Sequence, residues 1–293
     1  MISLSLQNRI KSFVAENLGV SISYIGFSMV GGGSINQTYQ LLINKKEKFF
    51  CKINSSSLFP QMFEKERKGL ALLASKKIIR VPAVIGTLLE TDNQVLLLEW
   101  IEQGIKTEKF WRIFGEQLSG LHTISHSYAG LEEDNYMGAL TQSNQPSTDW
   151  IEFFIQQRIE PQVRLAMDKK LLETHHLKDF ERCYKVLPSI FPQKQFSLLH
   201  GDIWSGNFLC DDTGMPVLID PAVYYGHPSM DLGMTTLFGG FDPLFYDSYN
   251  HQLPFPSNFR QQWEICNLYP LLIHLNLFGK GYLHNILSTL QYY

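Results

Sequence analysis

The spacing of hydrophobic residues along the chain changes near Leu98. Before this point, short runs rich in β-branched and aromatic residues predict strands. The predicted strands lie at residues 22–30, 36–43, 49–53, 83–89 and 95–100. A helix is predicted between the third and fourth strands, from about Pro60 to Lys76, with proline in its first turn. The first third of the chain is therefore expected to be a small α+β lobe of five strands and one helix.

Beyond Leu98 the apolar residues follow a helical period. Long helices are predicted at residues 108–124, 149–166, 172–187 and 261–277. One β-hairpin interrupts them, with short apolar runs at 208–210 and 217–219 around the turn 211–214. A β-rich lobe joined to a helical lobe implies a cleft that binds ligands. The expected domains are residues 1–98, a hinge at 99–102 and a helical lobe at 103–293.

Composition and charge exclude some classes of binding partner for this protein. The chain has 293 residues, of which 44% are hydrophobic, enough to bury a core in one or two domains. Its formal net charge is −3 and it has no block of Lys or Arg, so neither a nucleic acid nor an anionic membrane is an expected partner. Four scattered cysteines suit a reducing compartment, and we expect a cytoplasmic protein.

Two stretches of the sequence bear on targeting and membrane insertion. The first residues lack a basic region followed by a long apolar run, so a signal peptide is not expected. The most apolar stretch, 265–278, contains polar residues and is shorter than the roughly 20 residues that span a bilayer. It is predicted to be a core helix.

The strongest chemical signal is the run HGDIWSGN at 200–207, followed thirteen residues later by Asp220. Asp202 and Asn207 have the five-residue separation of a kinase catalytic loop. The hairpin between Asn207 and Asp220 would bring its two outer ends together, which places two oxygen donors side by side. Such a pair suits Mg²⁺, because this ion takes few protein ligands and adds phosphate oxygens and water. Asp202 is then expected to orient and accept the proton of an acceptor hydroxyl.

The alternative interpretation is that Asp202 and Asp220 are ordinary loop aspartates. Asp is common in turns, and either residue alone would favour that view. The HGD run, the Asn five residues on and the hairpin before a further Asp rarely occur together by chance. The combination therefore favours a catalytic function.

Lys52 and Glu66 are the second candidate pair. Lys52 lies in the middle of a predicted strand, where Lys is usually a solvated edge charge. Glu66, however, falls on the same helical stripe as Phe63 and Leu70, so its carboxylate needs a partner. A strand Lys paired to a helix Glu is the arrangement that holds ATP phosphates in kinases.

Two further segments could contact a nucleotide, although each is weak evidence alone. The glycine-rich turn consists of Gly31, Gly32, Gly33 and Ser34. Its backbone N–H groups could cover phosphates, but glycine turns are common in hairpins. The residues that join the two lobes are Glu99, Trp100 and Ile101. Their backbone could bond the edge of adenine.

The remaining candidates surround the catalytic loop in sequence. Asp231, in an apolar run, and His200 are predicted to support the loop structurally. Trp204, Tyr224 and Arg158 are candidates for the acceptor site, since aromatic faces with polar rims suit a sugar. For most of these aromatic residues, an ordinary core position is at least as well supported. Trp204 is the exception, because it lies in the loop two residues from Asp202.

At this point the sequence resembles the fructosamine-3-kinase (ketosamine-3-kinase) family of the protein-kinase-like superfamily. The resemblance extends over nearly the whole chain, and its segments are GGGSIN (31–36), CKIN (51–54), FEKE with GL (63–70), NYMG (135–138), Trp150 with Phe153, Phe154 and Arg158, HGDIWSGN (200–207), IDPAVYYGHPSMDLGM (219–234) and FGGF (238–241). The HGD-W-SGN and DPAVYYGH segments are the most distinctive.

The resemblance implies a bilobal kinase fold that uses ATP and Mg²⁺. It also implies phosphorylation of the 3-hydroxyl of a ketosamine, the sugar–amine adduct of glycation, as a step in deglycation repair. Asp202 then resembles the proton acceptor, and Asn207 with Asp220 the metal ligands. Lys52 with Glu66 resembles the phosphate-positioning pair. Several members carry Cys where this chain has Ser34, so thiol-based redox control at that position is not expected.

Two other functions remain open at this stage. The same fold and mechanism could act on an aminoglycoside, choline or another small alcohol. A kinase fold could also serve as a non-catalytic binding protein, although retention of all five candidate catalytic and metal-binding residues argues against decay. The sequence carries no indication of oligomeric state.

Overall fold

The structure is a computed structural model, and it describes residues 2–31, 35–191 and 196–293. The chain forms two compact units. The first comprises Met1–Ile105 together with Leu209–Ile219, and the second comprises Lys106–Phe208 together with Asp220–Tyr293. The hairpin segment therefore groups with the first unit although it lies late in the chain. The lobe and hinge limits expected from sequence stay a prediction.

The first unit is built on an antiparallel sheet of five strands. Its strands are Ile25–Met29 (β1), Gln37–Ile43 (β2), Glu47–Ser55 (β3), Val84–Glu90 (β4) and Asn93–Glu99 (β5). Their order across the sheet is β1-β2-β3-β5-β4. The predicted strands are thus confirmed, and helix Met62–Lys76 (α2) follows β3 as expected.

A helix at the start of the chain, Leu4–Leu18 (α1), was not predicted. The Ser3 hydroxyl accepts a hydrogen bond from the Leu6 N–H and caps its first turn. Its buried residues are Leu6, Ile10, Phe13 and Val14, which pack into the hydrophobic core of the sheet. This spacing is a helical stripe that was present in the sequence. The prediction of a single helix in this part of the chain was therefore wrong.

The second unit is mainly helical. Its α-helices are Glu108–His122 (α3), Trp150–Phe153 (α4), Glu160–Asp168 (α5), Leu177–Ile190 (α6), Ser229–Leu237 (α7), Pro243–Gln252 (α8), Phe259–Cys266 (α9), Leu268–Phe278 (α10) and Leu283–Leu290 (α11). A π-helix, Phe154–Ile159, joins α4 to α5, so the predicted helix at 149–166 changes its hydrogen-bond pattern midway. The predicted helix at 261–277 is divided at Asn267, and α7, α8 and α11 were not predicted.

Short strands occur in pairs outside the main sheet. They are Asn135–Met137 (β6), Leu140–Gln142 (β7), Ser197–Leu199 (β8), Phe208–Cys210 (β9), Pro216–Leu218 (β10) and Tyr224–Gly226 (β11). The pairs are β6 with β7, β8 with β11, and β9 with β10. The last of these is the predicted hairpin. Within the described ranges, no helix has both the length and the apolar character needed to cross a bilayer.

The hairpin turn is held by the buried carboxylate of Asp211. One of its oxygens accepts hydrogen bonds from the Thr213 N–H, the Thr213 hydroxyl and the Met215 N–H, at 3.0, 2.6 and 2.9 Å. The other oxygen is paired with the Arg80 guanidinium. Burial raises the pKa of Asp211, but these donors together outweigh it and hold the pKa below the ordinary value. The turn between Asn207 and Asp220 is therefore tightly defined.

Helix α1 is expected to stabilise the first unit through its buried stripe. Ile10→Ala should lower the free energy of unfolding by about 3 kcal/mol, because Ile10 is fully buried and its loss leaves a cavity. Leu4→Ala is the matched control in the same helix, since Leu4 is 73% exposed and should change the value by less than about 0.5 kcal/mol. Urea unfolding of both variants checks this. Equal effects would contradict the docking of α1.

Candidate active site

In the first unit, Lys52 and Glu66 form a buried ion pair. Lys52 lies in β3 between Thr38 of β2 and Leu96 of β5, and its side chain is only 2% exposed. Its Nζ is 2.7 Å from a carboxylate oxygen of Glu66 on α2, which is 11% exposed. The predicted pairing is thus confirmed. The reason is that each charge, taken out of water, needs the other to offset its desolvation.

The nucleotide-contact segments predicted from sequence are only partly described. Gly31 is exposed, while Gly32, Gly33 and Ser34 lie outside the described residues. Glu99 is the last residue of β5, where its backbone N–H donates to the Ala83 carbonyl at 2.8 Å. Its carboxylate accepts hydrogen bonds from Arg80 and from the Ala83 N–H. Contacts of the glycine-rich turn with phosphates and of the Glu99 backbone with adenine stay predictions.

The segment after Glu99 begins without regular structure. Trp100 is half-buried and Ile101 is buried, with ring centroids of Trp100 and Phe50 6.3 Å apart. Neither residue belongs to a helix or strand. Their part in nucleotide binding stays a prediction.

In the second unit, the run 200–207 forms a loop closed by its own side chains. The Asn207 amide donates one hydrogen bond to the Asp202 carboxylate at 2.9 Å and another to the Asp202 carbonyl oxygen at 2.8 Å. Asn207 is buried and Asp202 is half-buried. The separation of five residues noted in the sequence is therefore the span that lets the amide of one residue hold the other.

A second carboxylate, that of Asp220, lies within electrostatic reach of Asp202. Burial and the negative charge of Asp220 raise the pKa of Asp202 to about 8, against a lowering effect of the Asn207 hydrogen bond. Asp220 has a φ of 54°, in the left-handed region, which is uncommon for a residue other than glycine. Backbone strain of this kind concentrates at functional sites. Asp220 therefore adopts an unfavourable backbone conformation and also places a second negative charge near Asp202.

These residues suit a divalent cation of the Mg²⁺ type. Across residues 2–31, 35–191 and 196–293, there is no group of three or more His, Cys, Asp or Glu side chains that could hold a metal ion. A carboxylate and an amide oxygen would instead supply a small part of an octahedral shell, and phosphate and water the remainder. A cation here would also offset the repulsion between Asp202 and Asp220. The donor chemistry therefore fits Mg²⁺, with Asn207 and Asp220 as the predicted ligands.

The catalytic-loop backbone is held by Asp231 of α7. The N–H groups of His200 and Gly201 each donate to one oxygen of the Asp231 carboxylate, both at 2.8 Å. The Asp202 N–H donates to Nδ1 of His200 at 3.3 Å. His200 and Asp231 are almost fully buried. These contacts support the structural roles predicted for both residues.

Gly201 allows the close approach that this loop needs. Its φ is 84°, in the left-handed region that favours glycine, and a Cβ there would lie 2.1 Å from the carbonyl oxygen of Ala222. The Ala222 N–H in turn donates to the His200 carbonyl at 2.9 Å. Any other residue at 201 would push apart the two segments that carry Asp202 and Asp220.

Two residues of this site were missed in the sequence. His122 of α3 and Tyr249 of α8 are both buried, and His122 Nδ1 is 2.7 Å from the Tyr249 hydroxyl. Its Nε2 is 3.2 Å from the Asp231 carboxylate. Because a carboxylate only accepts, Nε2 carries a proton; in a neutral imidazole, Nδ1 then accepts from the Tyr249 hydroxyl. In the sequence, the one signal for this contact is that His122 lies on the apolar face of the predicted helix 108–124.

The residues predicted to contact an acceptor are placed differently from one another. Trp204 is half-exposed, and its ring meets that of Phe238 edge-on at 5.9 Å. Arg158 and Tyr224 are fully buried, and the guanidinium lies 4.0 Å from the centre of the Tyr224 ring. Arg158 also donates to Asn144 at 2.8 Å. Burial among these neighbours argues against direct acceptor contact by Arg158 and Tyr224, contrary to the sequence interpretation.

The Lys52–Glu66 pair is expected to contribute strongly to the free energy of unfolding. Glu66→Gln should lower the free energy of unfolding by about 3 kcal/mol, because it replaces the carboxylate 2.7 Å from the buried Lys52 ammonium by a neutral amide. Glu64→Gln is the control on the same helix, since its pair with Arg67 is more than a third exposed on both sides and should contribute less than about 1 kcal/mol. Urea unfolding of the two variants compares them. Similar losses would contradict a buried pair.

The Tyr249–His122–Asp231 chain is expected to hold the catalytic loop still. Tyr249→Phe removes the donor to His122, so the amides of His200 and Gly201 should exchange with solvent about tenfold faster. Tyr184→Phe is the control, because it also loses one tyrosine hydrogen bond, to Glu160 at 2.8 Å, in the same unit. Hydrogen exchange read by NMR or mass spectrometry checks both. Unchanged exchange at 200–201 in the first variant would refute the positioning role.

The chain resembles several known proteins over most of its length. A probable ketoamine kinase of Synechocystis sp. is 38% identical over 259 residues, which are 86% of this chain and 85% of that protein. A chloroplastic protein-ribulosamine 3-kinase of Arabidopsis thaliana is 34% identical over 286 residues, covering 96% and 85%. Both similarities extend through the segments that carry Lys52 and Asp202.

The fold is also that of solved kinase structures. A crystal structure from Haemophilus somnus 129PT that carries a fructosamine-3-kinase name matches with a TM-score of 0.87 and 26% identity, over 97% of this chain and 96% of that one. An amicoumacin kinase in complex with AMP-PNP and Ca²⁺ matches with a TM-score of 0.57 and 11% identity, over 99% and 95%, and shows the fold alone. The α+β architecture predicted from sequence is therefore confirmed as kinase-like. Because the fructosamine kinase family model also matches residues 6–293, the chain belongs to the fructosamine kinase family.

Proposed function

We propose that this protein transfers the γ-phosphate of ATP to a hydroxyl group of a ketosamine, with the 3-hydroxyl of the sugar as acceptor. The observation that carries the proposal is the Asp202 carboxylate, held by Asn207 and lying within electrostatic reach of Asp220. The names of the ketoamine and ribulosamine kinase relatives support the acceptor class. The transfer forms a bond from the sugar oxygen to phosphorus and releases ADP.

Asp202 is the residue proposed to receive the proton of the acceptor hydroxyl. The Asn207 amide holds one of its carboxylate oxygens, and the loop backbone on either side is tied to Asp231. A carboxylate fixed in this way orients the hydroxyl for in-line attack, which is the main contribution that a protein makes to phosphoryl transfer.

Lys52 is the residue proposed to bind ATP phosphate oxygens. Glu66 keeps the Lys52 ammonium at a defined position, since the two groups are 2.7 Å apart in a buried setting. The glycine-rich turn that begins at Gly31 and the backbone of Glu99, Trp100 and Ile101 are the proposed contacts for the remainder of the nucleotide. The kinase-like fold supports these assignments by analogy.

Asn207 and Asp220 would hold Mg²⁺. When bound, this ion would neutralise charge on the phosphate oxygens. The protein's own contribution is to keep one amide and one carboxylate close to Asp202. The non-catalytic alternative is weakened because Lys52, Glu66, Asp202, Asn207 and Asp220 are all present and have partners in the structure.

Asp202→Asn is expected to lower kcat by at least about a thousandfold, because the amide cannot accept the proton and positions the hydroxyl differently. Binding of ATP with Mg²⁺, measured by calorimetry, should change little. Asp212→Asn is the control, since Asp212 is an exposed residue of the hairpin turn. Wild-type rates in the Asp202 variant would refute the assignment.

The acceptor class is checked in the same assay by ADP release from wild-type protein offered ketosamines, aminoglycosides and choline. Turnover with ketosamines above the others is expected. Strong turnover with aminoglycosides or choline alone would replace the ketosamine with that acceptor and leave the phosphotransfer mechanism in place.

A further inference from the structure

Arg80, between α2 and β4, contacts two carboxylates of the first unit that are far apart in the chain. Its guanidinium donates to Glu99 at the end of β5 and is paired with Asp211 in the turn of the β9–β10 hairpin. The side chain of Arg80 is 41% exposed, whereas that of Asp211 is only 3% exposed. An ion pair with one buried partner differs from an ordinary surface pair, because little water can reach the buried carboxylate to replace a lost partner.

The two carboxylates divide their oxygens in the same way. One oxygen of Asp211 accepts three hydrogen bonds within its own turn, and the other is paired with Arg80. One oxygen of Glu99 accepts from the Ala83 N–H at 3.0 Å, and the other accepts from Arg80. The guanidinium therefore joins two groups that backbone contacts already fix, and its rigid fork of donors suits two carboxylates.

The backbone of Arg80 also binds the hairpin. Its carbonyl oxygen accepts a hydrogen bond from the Leu218 N–H at 2.9 Å, and Arg80 forms a parallel β-bridge with Val217. The side chain of Arg80 thus holds the turn of the hairpin, and its main chain holds strand β10. Two attachments at different points restrict both the position and the orientation of the hairpin.

The other strand of the hairpin, β9, is bound by the segment that follows Glu99. The Gly104 N–H donates to the Cys210 carbonyl at 2.9 Å, and Gln103 forms an antiparallel β-bridge with Asp211. A Cβ at residue 104 would lie 2.1 Å from the Asp211 carbonyl oxygen, so this close approach requires glycine. The hairpin is therefore bonded along both edges, and both edges lead back to the segment 99–101 that is proposed to contact adenine.

The outer ends of this hairpin continue directly into the predicted metal ligands. Asn207 immediately precedes β9, and Asp220 follows β10 after one intervening residue. A shift of the hairpin would move both side chains, because one or two planar peptide units leave the chain little freedom to compensate. Fixing the hairpin therefore fixes the two donors.

We infer that Arg80 is a positioning residue for the metal–nucleotide complex. By joining Asp211 to Glu99, it fastens the hairpin that ends in Asn207 and Asp220 to the segment 99–101. The groups that bind the metal ion and those that bind adenine then belong to one connected part of the chain, so that each ligand strengthens the binding of the other. This inference rests on the proposed function, since it requires ATP and Mg²⁺ as ligands.

Calorimetry of ATP binding, with Mg²⁺ and with EDTA in its place, tests the inference. Arg80→Gln should raise the Kd for ATP about tenfold with Mg²⁺ and less than about twofold in EDTA, because the hairpin matters only when its metal ligands are used. Arg9→Gln is the matched control in the same unit. Arg9 is also 41% exposed and also lies near two carboxylates, those of Glu90 at 3.3 Å and Glu16 at 4.0 Å. Its loss should change neither Kd.

A second variant cuts the same contact from its other side. Asp211→Asn keeps the oxygen that accepts from the turn but removes the carboxylate from Arg80, so it should also raise the Kd with Mg²⁺ about tenfold. The double variant with Arg80→Gln should bind no more weakly than either single variant, because both remove one shared interaction. Asp211→Asn also provides the test if Arg80→Gln does not fold.

The outcomes separate this inference from the proposed function. An unchanged Kd with Mg²⁺, or an equal loss with and without Mg²⁺, would overturn the positioning role and leave the phosphotransfer proposal standing. Losses that multiply in the double variant would likewise overturn it, since the two residues would then act independently. Absence of ATP binding by the wild-type protein would refute the proposed function and this inference with it.

Discussion

The carboxylate of Asp231 accepts hydrogen bonds from two consecutive backbone amides, those of His200 and Gly201, inside the second unit. A buried carboxylate is stable only where donors replace the water it has lost, and here the donors are the backbone of the catalytic loop together with His122. The loop must therefore keep this backbone geometry if Asp231 is to keep its hydrogen-bond donors. The position of Asp202 follows from it, because Asp202 comes next in the chain.

Both units hold charge where water is scarce, and they do so in opposite ways. Lys52 and Glu66 carry opposite charges and lie 2.7 Å apart, so each offsets the desolvation of the other. Asp202 and Asp220 carry like charges, and burial together with the charge of Asp220 raises the pKa of Asp202. A pair of like charges is stabilised by a cation. The first arrangement suits an ammonium held ready for phosphate, and the second suits a site that becomes favourable when a metal–nucleotide complex binds.

The spacing of residues along the chain correctly predicted several parts of the candidate site. The five-residue separation of Asp202 and Asn207, the hairpin and the Glu66 position on an apolar stripe each reflect the repeat of one element, which is visible in sequence. Helix α1 was equally visible, since Leu6, Ile10, Phe13 and Val14 form a helical stripe. The roles of Arg158 and Tyr224 could not be read this way, because an aromatic residue beside a catalytic motif has the same sequence pattern whether it faces solvent or core.

The sequence by itself thus indicated the strands of the first unit, the hairpin and the residue types of the site, because hydrogen bonding within a loop or hairpin depends on neighbours along the chain. Only the tertiary structure decided which distant side chains meet. His122, Tyr249 and Asp231 come from three separate helices, and a pocket lined by Trp263 is assembled from α7, α8, α9 and the loops between them. Their association depends on how the helices pack, and packing is set by the shapes and volumes of many side chains together. No short-range pattern in the sequence predicts this packing.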